Sequence, residues 1–278
     1  MKLIADSGAT KTTWTLAGGT RKRTFHTPGI SPYFFTSEEI TALLQKELVP
    51  KMGQHPIEAI HFYGTGCATP ENCKLVEKGL KGAFRQAKTI TVQSDLMAAA
   101  RALCGNQKGI ACILGTGSNS CVYNGKKILR NNPAPGFILG DEGSGAYLGK
   151  KVVQYFIYNT FDEELMHKFN LKFSTTYREI LQHVYKGNWP NRYLASFAPF
   201  LSENRGHFMI ENIIEDGLSD FFFVHLYKYP ETWNYPVNFV GSIAWHFRDV
   251  LKELCQSFEL ELGTVLQSPM PGLLKYHQ

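Results

Sequence analysis

The chain has 278 residues, 44% of them hydrophobic and 19% charged, with a formal net charge of +5. That is longer than one compact core usually runs, so two domains are expected, and the composition excludes a disordered or fibrous chain. No apolar run reaches the roughly 18–20 residues of a membrane span, and no secretory leader can be drawn before Asp6; the basic surplus is modest, the usual state of a solvated surface. A cytoplasmic protein without membrane or nucleic-acid partners is expected.

Residues 2–5 form a short apolar strand that enters the turn Asp6-Ser7-Gly8-Ala9-Thr10-Lys11. Residues 12–17, rich in Thr, Trp and Leu, predict a second strand. Gly18-Gly19 signals a hairpin, and the basic run Arg21-Lys22-Arg23 starts a third strand over 21–27. A helix follows from Ser37, its expected N-cap, to about Lys51. An apolar strand over 59–63 empties into Gly64-Thr65-Gly66. A helix over 71–86, a strand over 89–93 and an alanine-rich helix over 96–103 complete this half.

The opening pattern then returns. Residues 109–114 form an apolar strand ending in Gly115-Thr116-Gly117-Ser118, with strands over 120–123 and 126–130 joined at Asn124-Gly125. Strand, glycine turn, strand, tight turn, strand thus occurs twice, about a hundred residues apart, which predicts two similar lobes. Helical patterns follow over 151–158, 175–186 and 207–227, and a strand over 237–240 meets Gly241-Ser242.

Glycine turns after buried strands let backbone N–H groups approach phosphate oxygens without a Cβ in the way. One such turn is commonplace; three, each closing an apolar strand, point to a nucleotide. The first is not a Walker A loop, because no glycine precedes Lys11. The cysteines (Cys67, Cys73, Cys104, Cys112, Cys121, Cys255) form no CxxC pair and read as reduced, mostly buried thiols, and no HExxH pair suggests a zinc hydrolase. Asp95, between a strand and a helix, reads equally well as a helix N-cap and as a carboxylate exposed at a strand end.

The turn at 6–12 resembles the first phosphate motif of the actin/hexokinase/Hsp70 superfamily. Gly115-Thr116-Gly117-Ser118 resembles its second, and Val240-Gly241-Ser242 its adenosine motif. With Gly140-Asp141-Glu142-Gly143-Ser144 the resemblance narrows to the N-acetylglucosamine kinase branch, the BadF/BadG family, and it runs from Leu3 to Tyr276. The resemblance implies an α/β fold of two ribonuclease-H-like lobes with the nucleotide in the cleft between them. The N-terminal lobe is expected over 1–107 with 267–278 packing on it, and the C-terminal lobe over 108–266. ATP and Mg²⁺ are the implied cofactors. Asp6 resembles the carboxylate that orients Mg²⁺ through water. Gly8, Thr10 and Lys11 lie in the loop that approaches the γ-phosphate; Gly115, Thr116, Gly117 and Ser118 contact the β- and γ-phosphates; Gly241 and Ser242 lie against the adenosine. Asp95 is similar to the catalytic base. Asp141 resembles the acid that binds sugar hydroxyls, with Glu142 beside it, and Gly64, Thr65 and Gly66 a second sugar-side loop. Many relatives have Asn-Pro after the third strand, where this chain has Ser31-Pro32, so the sugar contact at Ser31 departs from the pattern.

The implied reaction is transfer of the ATP γ-phosphate to the 6-hydroxyl of an amino sugar, N-acetylglucosamine first, then glucosamine or N-acetylmuramic acid, with a homodimer as the candidate assembly. An ATPase that activates a radical dehydratase is disfavoured by the wide spacing of Cys104, Cys112 and Cys121. A non-catalytic sugar-sensing regulator is disfavoured by the presence of both Asp6 and Asp95.

Overall fold

A computed structural model describes residues 1–8, 10–18, 22–53 and 56–278. Ala9 of the first glycine turn, Gly19 of the expected hairpin and Arg21 of the expected third strand lie outside the described residues. The chain forms two units, one of Met1–Asn106 with Pro269–Gln278, the other of Gln107–Ser268. No helix among the described residues is long and apolar enough to cross a membrane.

The first unit is built on a five-stranded sheet, β1 (Lys2–Ser7), β2 (Lys11–Ala17), β3 (Arg23–Pro28), β4 (Ala59–Gly64) and β5 (Thr89–Ser94), in the order β3-β2-β1-β4-β5. β1 to β3 form an antiparallel meander, while β4 and β5 run parallel to β1. β1 is central and covered on both faces, which is why Leu3, Ile4 and Ala5 are all apolar rather than alternating with polar residues. On one face Leu3, Trp14 and Phe62 pack with Ile40 and Leu44 of helix Ser37–Glu47 and Val76 and Leu80 of helix Pro70–Ala83. On the other, Ile4 and Tyr63 meet Ala98 of helix Asp95–Cys104 and Met270, Leu273 and Leu274 of helix Met270–Tyr276. The two helices touch closely: a Cβ at Gly272 would stand 2.2 Å from the Ala102 carbonyl oxygen.

The second unit repeats this topology. β6 (Lys108–Leu114), β7 (Ser118–Asn124) and β8 (Ile128–Asn131) form the meander, and β9 (Val237–Val240) and β10 (Leu262–Leu266) the parallel edge, in the order β10-β9-β6-β7-β8. Its core joins β6 and β9 to helices Gly145–Ile157, Phe208–Val224 and Arg248–Ser257 and to an aromatic group of Phe161, Phe169, Phe197 and Phe200. Asn238, buried in β9, is satisfied by donating to the Ile110 and Pro236 carbonyls and accepting from the Thr264 N–H.

Several boundaries differ from the sequence reading. Among the described residues the third strand begins at Arg23, and Lys22 before it is not part of it. Thr36, not Ser37, caps the first helix, because Glu39 completes a reciprocal capping box with it. The second helix stops at Ala83, and the strand begun at 120 starts already at Ser118. The helix expected from 151 begins at Gly145, where the Ser144 side chain caps it. β10 was not anticipated: it is half-exposed, and its pairing with β9 shifts register between Leu262 and Val265.

Candidate functional site

In the first unit, the parallel strands place Ser7, Gly64 and Ser94 in register, so their C-terminal ends bring Asp6, Gly64-Thr65-Gly66 and Asp95 to one edge of the sheet. Such an edge is the ordinary ligand position of an open α/β sheet. Ser94 caps the helix by accepting the Met97 N–H, and Asp95 is the first helical residue. The capping role is thus taken by its neighbour. The Asp95 carboxylate accepts the Leu96 N–H at 2.8 Å and the Thr65 hydroxyl at 2.9 Å. Burial pushes its pKa up, and these two donors pull against that rise.

Asp6 is raised to about 6 by burial, the Asp95 charge adding to the effect and Lys11 opposing it. Lys11 opens β2, exposed, and its carbonyl accepts the Gly8 N–H at 3.1 Å, while the Thr10 carbonyl accepts that of Gly29. Ser7, to which the sequence reading gave no role, is fully buried. Its hydroxyl lies 2.7 Å from that of Thr12 and bonds both backbone groups of Ile30, so it ties the turn to the Ser31 segment. Ser31 is itself a turn residue: its carbonyl accepts the N–H groups of Phe34 and Phe35, and its hydroxyl that of Tyr33. Gly66 has φ +86°, and a Cβ there would stand 3.0 Å from the Tyr33 ring.

A carboxyl whose pKa is raised in the fold stabilises it while protonated, and that contribution is lost as pH rises through the folded pKa. For Asp6 the window lies between its ordinary 3.8 and about 6. Asp6→Asn is therefore expected to be more stable than the parent near neutral pH in chelator, by at most about 3 kcal/mol. The advantage vanishes below about pH 4. Urea midpoints of the two proteins that stay parallel across this range rule the effect out.

In the second unit, the turn after β6 is closed by Gly115 N–H donating to the Gly117 carbonyl at 3.0 Å. Helix Gly145–Ile157 is held to this turn by its first two N–H groups, which donate to the Gly115 and Thr116 carbonyls. Thr116 and Gly117 keep N–H groups without partners among the described residues, and the buried Ser118 hydroxyl has none either. Asp141, at φ +60°, brings its carboxylate to this turn and accepts the Ser118 N–H at 3.4 Å. A Cβ at Gly117 would lie 3.0 Å from that carboxylate. Burial pushes the Asp141 pKa up. Glu142 turns away, with its Oε2 3.6 Å from His225 Nε2.

Gly241, at φ +131°, lies so close to β6 that a Cβ would stand 2.1 Å from the Leu114 carbonyl oxygen. Beside it, Gly115, Thr116 and Ser242 line a cavity of about 200 Å³ together with Ala195, Ala198, Pro199, Ser202 and His246. The last five were missed from sequence, since Ala195, Pro199, Ser202 and His246 are scattered over three brief helices, with Ala198 just before one of them, and such isolated positions carry no motif.

No protein-family profile and no curated protein matches the sequence. Among solved structures, a Porphyromonas gingivalis protein provisionally assigned as an N-acetylglucosamine kinase is 40% identical, with TM-score 0.95 over 100% of this chain and 98% of that one. A Chromobacterium violaceum protein with the same provisional assignment shares the fold at 19% identity and TM-score 0.67, over 100% of this chain and 98% of that one. A ROK-family glucokinase from Streptomyces griseus, solved with glucose and AMPPNP, shares it at 16% identity and TM-score 0.56, over 99% and 97%. With that identity sustained along its full length, the chain belongs to the same family as the Porphyromonas gingivalis protein.

Proposed function

We propose that the chain is an ATP-dependent sugar kinase of the BadF/BadG type that phosphorylates the 6-hydroxyl of an amino sugar, N-acetylglucosamine before glucosamine or N-acetylmuramic acid. The observation that carries this reading is Asp95: a partly buried carboxylate, released from capping by Ser94 and aimed by Thr65 and Leu96. A group so held can take the proton of an attacking hydroxyl, and phosphoryl transfer asks little more of a protein than positioning and charge neutralisation. The unpartnered N–H groups of Thr116 and Gly117 and the hydroxyl of Ser118 suit the β- and γ-phosphates, with Gly8, Thr10 and Lys11 on the γ-phosphate. The cavity beside Gly241 and Ser242 suits the adenosine.

Mg²⁺ fits the donor chemistry at Asp6, an oxygen ligand whose ionised form is disfavoured by burial and by Asp95. When bound, through water, the ion neutralises charge on the phosphates. Ser31, Gly64, Thr65, Gly66, Asp141 and Glu142 are assigned to the sugar side, with Thr65 acting through Asp95. A panel of the three sugars in a coupled ADP-release assay tests the reading. It fails if protein shown to bind an ATP analogue releases no ADP in response to any of them.

A further inference from the structure

Behind the loop that carries Asp141, the second unit buries a chain of polar side chains that the reading above leaves unused. His225 follows helix Phe208–Val224, is 1% exposed and stacks on Phe221 at 4.8 Å. Its Nδ1 lies 3.3 Å from the Ser120 hydroxyl, two residues beyond Ser118 on β7. The Ser120 hydroxyl also lies 3.0 Å from that of Tyr229. Tyr229 donates to the Ser120 carbonyl and accepts the Asn132 N–H. With the phenol proton given to the Ser120 carbonyl, the Ser120 hydroxyl keeps its own proton and can donate it to His225 Nδ1. The imidazole then carries its proton on Nε2, which faces Glu142.

Glu142 Oε2 and His225 Nε2 are 3.6 Å apart, both buried, and neither has a hydrogen-bond partner among the described residues. Left apart, each carries the desolvation penalty of an unsatisfied buried polar atom; drawn together, they satisfy one another. Positive φ angles at Asp141 and Gly143 reverse the loop, so consecutive side chains leave it differently, Asp141 to Gly117 and Ser118, Glu142 to His225. Gly143 is also pressed against helix Phe208–Val224, where a Cβ would stand 2.9 Å from Phe221 Cβ.

We propose that His225 is a positioning residue for the acid loop: its Nε2–H holds Glu142 inside the unit and thereby sets Asp141 against the Gly117-Ser118 turn. The consequence for turnover rests on the kinase reading of that turn; the pairing itself does not. Glu142 is accordingly a strut of the sugar side rather than a group that touches sugar.

Two measurements decide the matter. In protein labelled with ¹⁵N at histidine and free of ligands, His225 should be the Nε2–H tautomer, and Glu142→Gln should shift its Nε2 resonance. An Nδ1–H tautomer overturns the proposal whether or not the chain phosphorylates any sugar. In kinetics, His225→Phe fills the place on Phe221 without a donor and should lower kcat roughly 10- to 100-fold, the scale of a misplaced active-site group. His225→Gln, whose amide can reach Glu142, should recover most of that loss. Equal losses in both variants, or none in His225→Phe, also overturn it. If the parent protein turns over no sugar, the kinase reading fails and the tautomer alone judges the pair.

Discussion

Asp95→Asn should lower turnover by roughly 10²–10⁴-fold, the range for removing a general base, while leaving binding of an ATP analogue nearly intact. The amide oxygen can still accept the Leu96 N–H, and the amide nitrogen can donate to Thr65, whose hydroxyl reverses its role. Both contacts that fix the side chain therefore survive, and only the ability to take a proton is lost. The fold should tolerate the change, because burial already disfavours the charged form of Asp95. Removing that charge also lifts one of the two influences that raise Asp6, so the Asp6 carboxyl should titrate lower in the variant. Initial rates in the coupled assay, calorimetry with the analogue and a carboxyl titration by NMR test the three parts. Near-normal turnover removes Asp95 from the base role.

The second large effect is expected at Gly241. In Gly241→Ala the new methyl would meet the Leu114 carbonyl oxygen at 2.1 Å and its carbon at 2.5 Å. These are backbone atoms of the central strand β6, so no side chain can swing aside. The Gly241 N–H is meanwhile anchored to the Leu266 carbonyl on β10. With strain at φ +131° added, the variant should lose about 3–5 kcal/mol of stability or fail to fold. Folded molecules should bind the ATP analogue more weakly, since the Leu114–Gly115 junction has to move. Gly136→Ala is the control: φ is also positive, at +83°, but nothing lies within 4 Å, so only about 1–2 kcal/mol of backbone strain is expected. Equal urea midpoints for the two variants would falsify the steric argument.

The elements most legible in the sequence were those whose burial is plainest. β1, β4, β6 and β9 lie near the middle of their sheets, so each reads as an apolar run stopped by a glycine or an acid. β10 was missed for the opposite reason: it is only half-buried, and Gly263 sits where Asn238 needs room, a Cβ there standing 2.3 Å from its Oδ1. The first helix start was readable and misread. Ser37 and Thr36 are both good caps, but only Thr36 has glutamate at the third helical position. Asp95 could not be separated from a cap by sequence, because Ser94 and Asp95 are adjacent candidates and only coordinates show which one bonds Met97. Glu142 was grouped with Asp141 because they are neighbours in the chain; the loop reversal that parts them, and His225 at the end of a helix far along the chain, leave no local trace. Ser7 shows the same limit, since its partners Thr12 and Ile30 are set by strand pairing rather than by any motif.

Helix Met270–Tyr276 belongs to the unit that begins at Met1, where it covers Ile4, Tyr63 and Ala98, and His277 stacks on His61 at 3.9 Å and reaches the Tyr63 hydroxyl at 2.8 Å. During synthesis the segment that begins first is therefore the one that must wait longest for its missing face. While the ribosome adds residues 107–268, that side of the first sheet has only helix Asp95–Cys104 for cover, whereas the second unit gains its last strand at Leu266 and then lacks none. The vectorial order of translation and the order of completion run opposite to one another. A nascent chain halted before Pro269 should consequently release a finished second unit joined to a first that is open to proteases and chaperones.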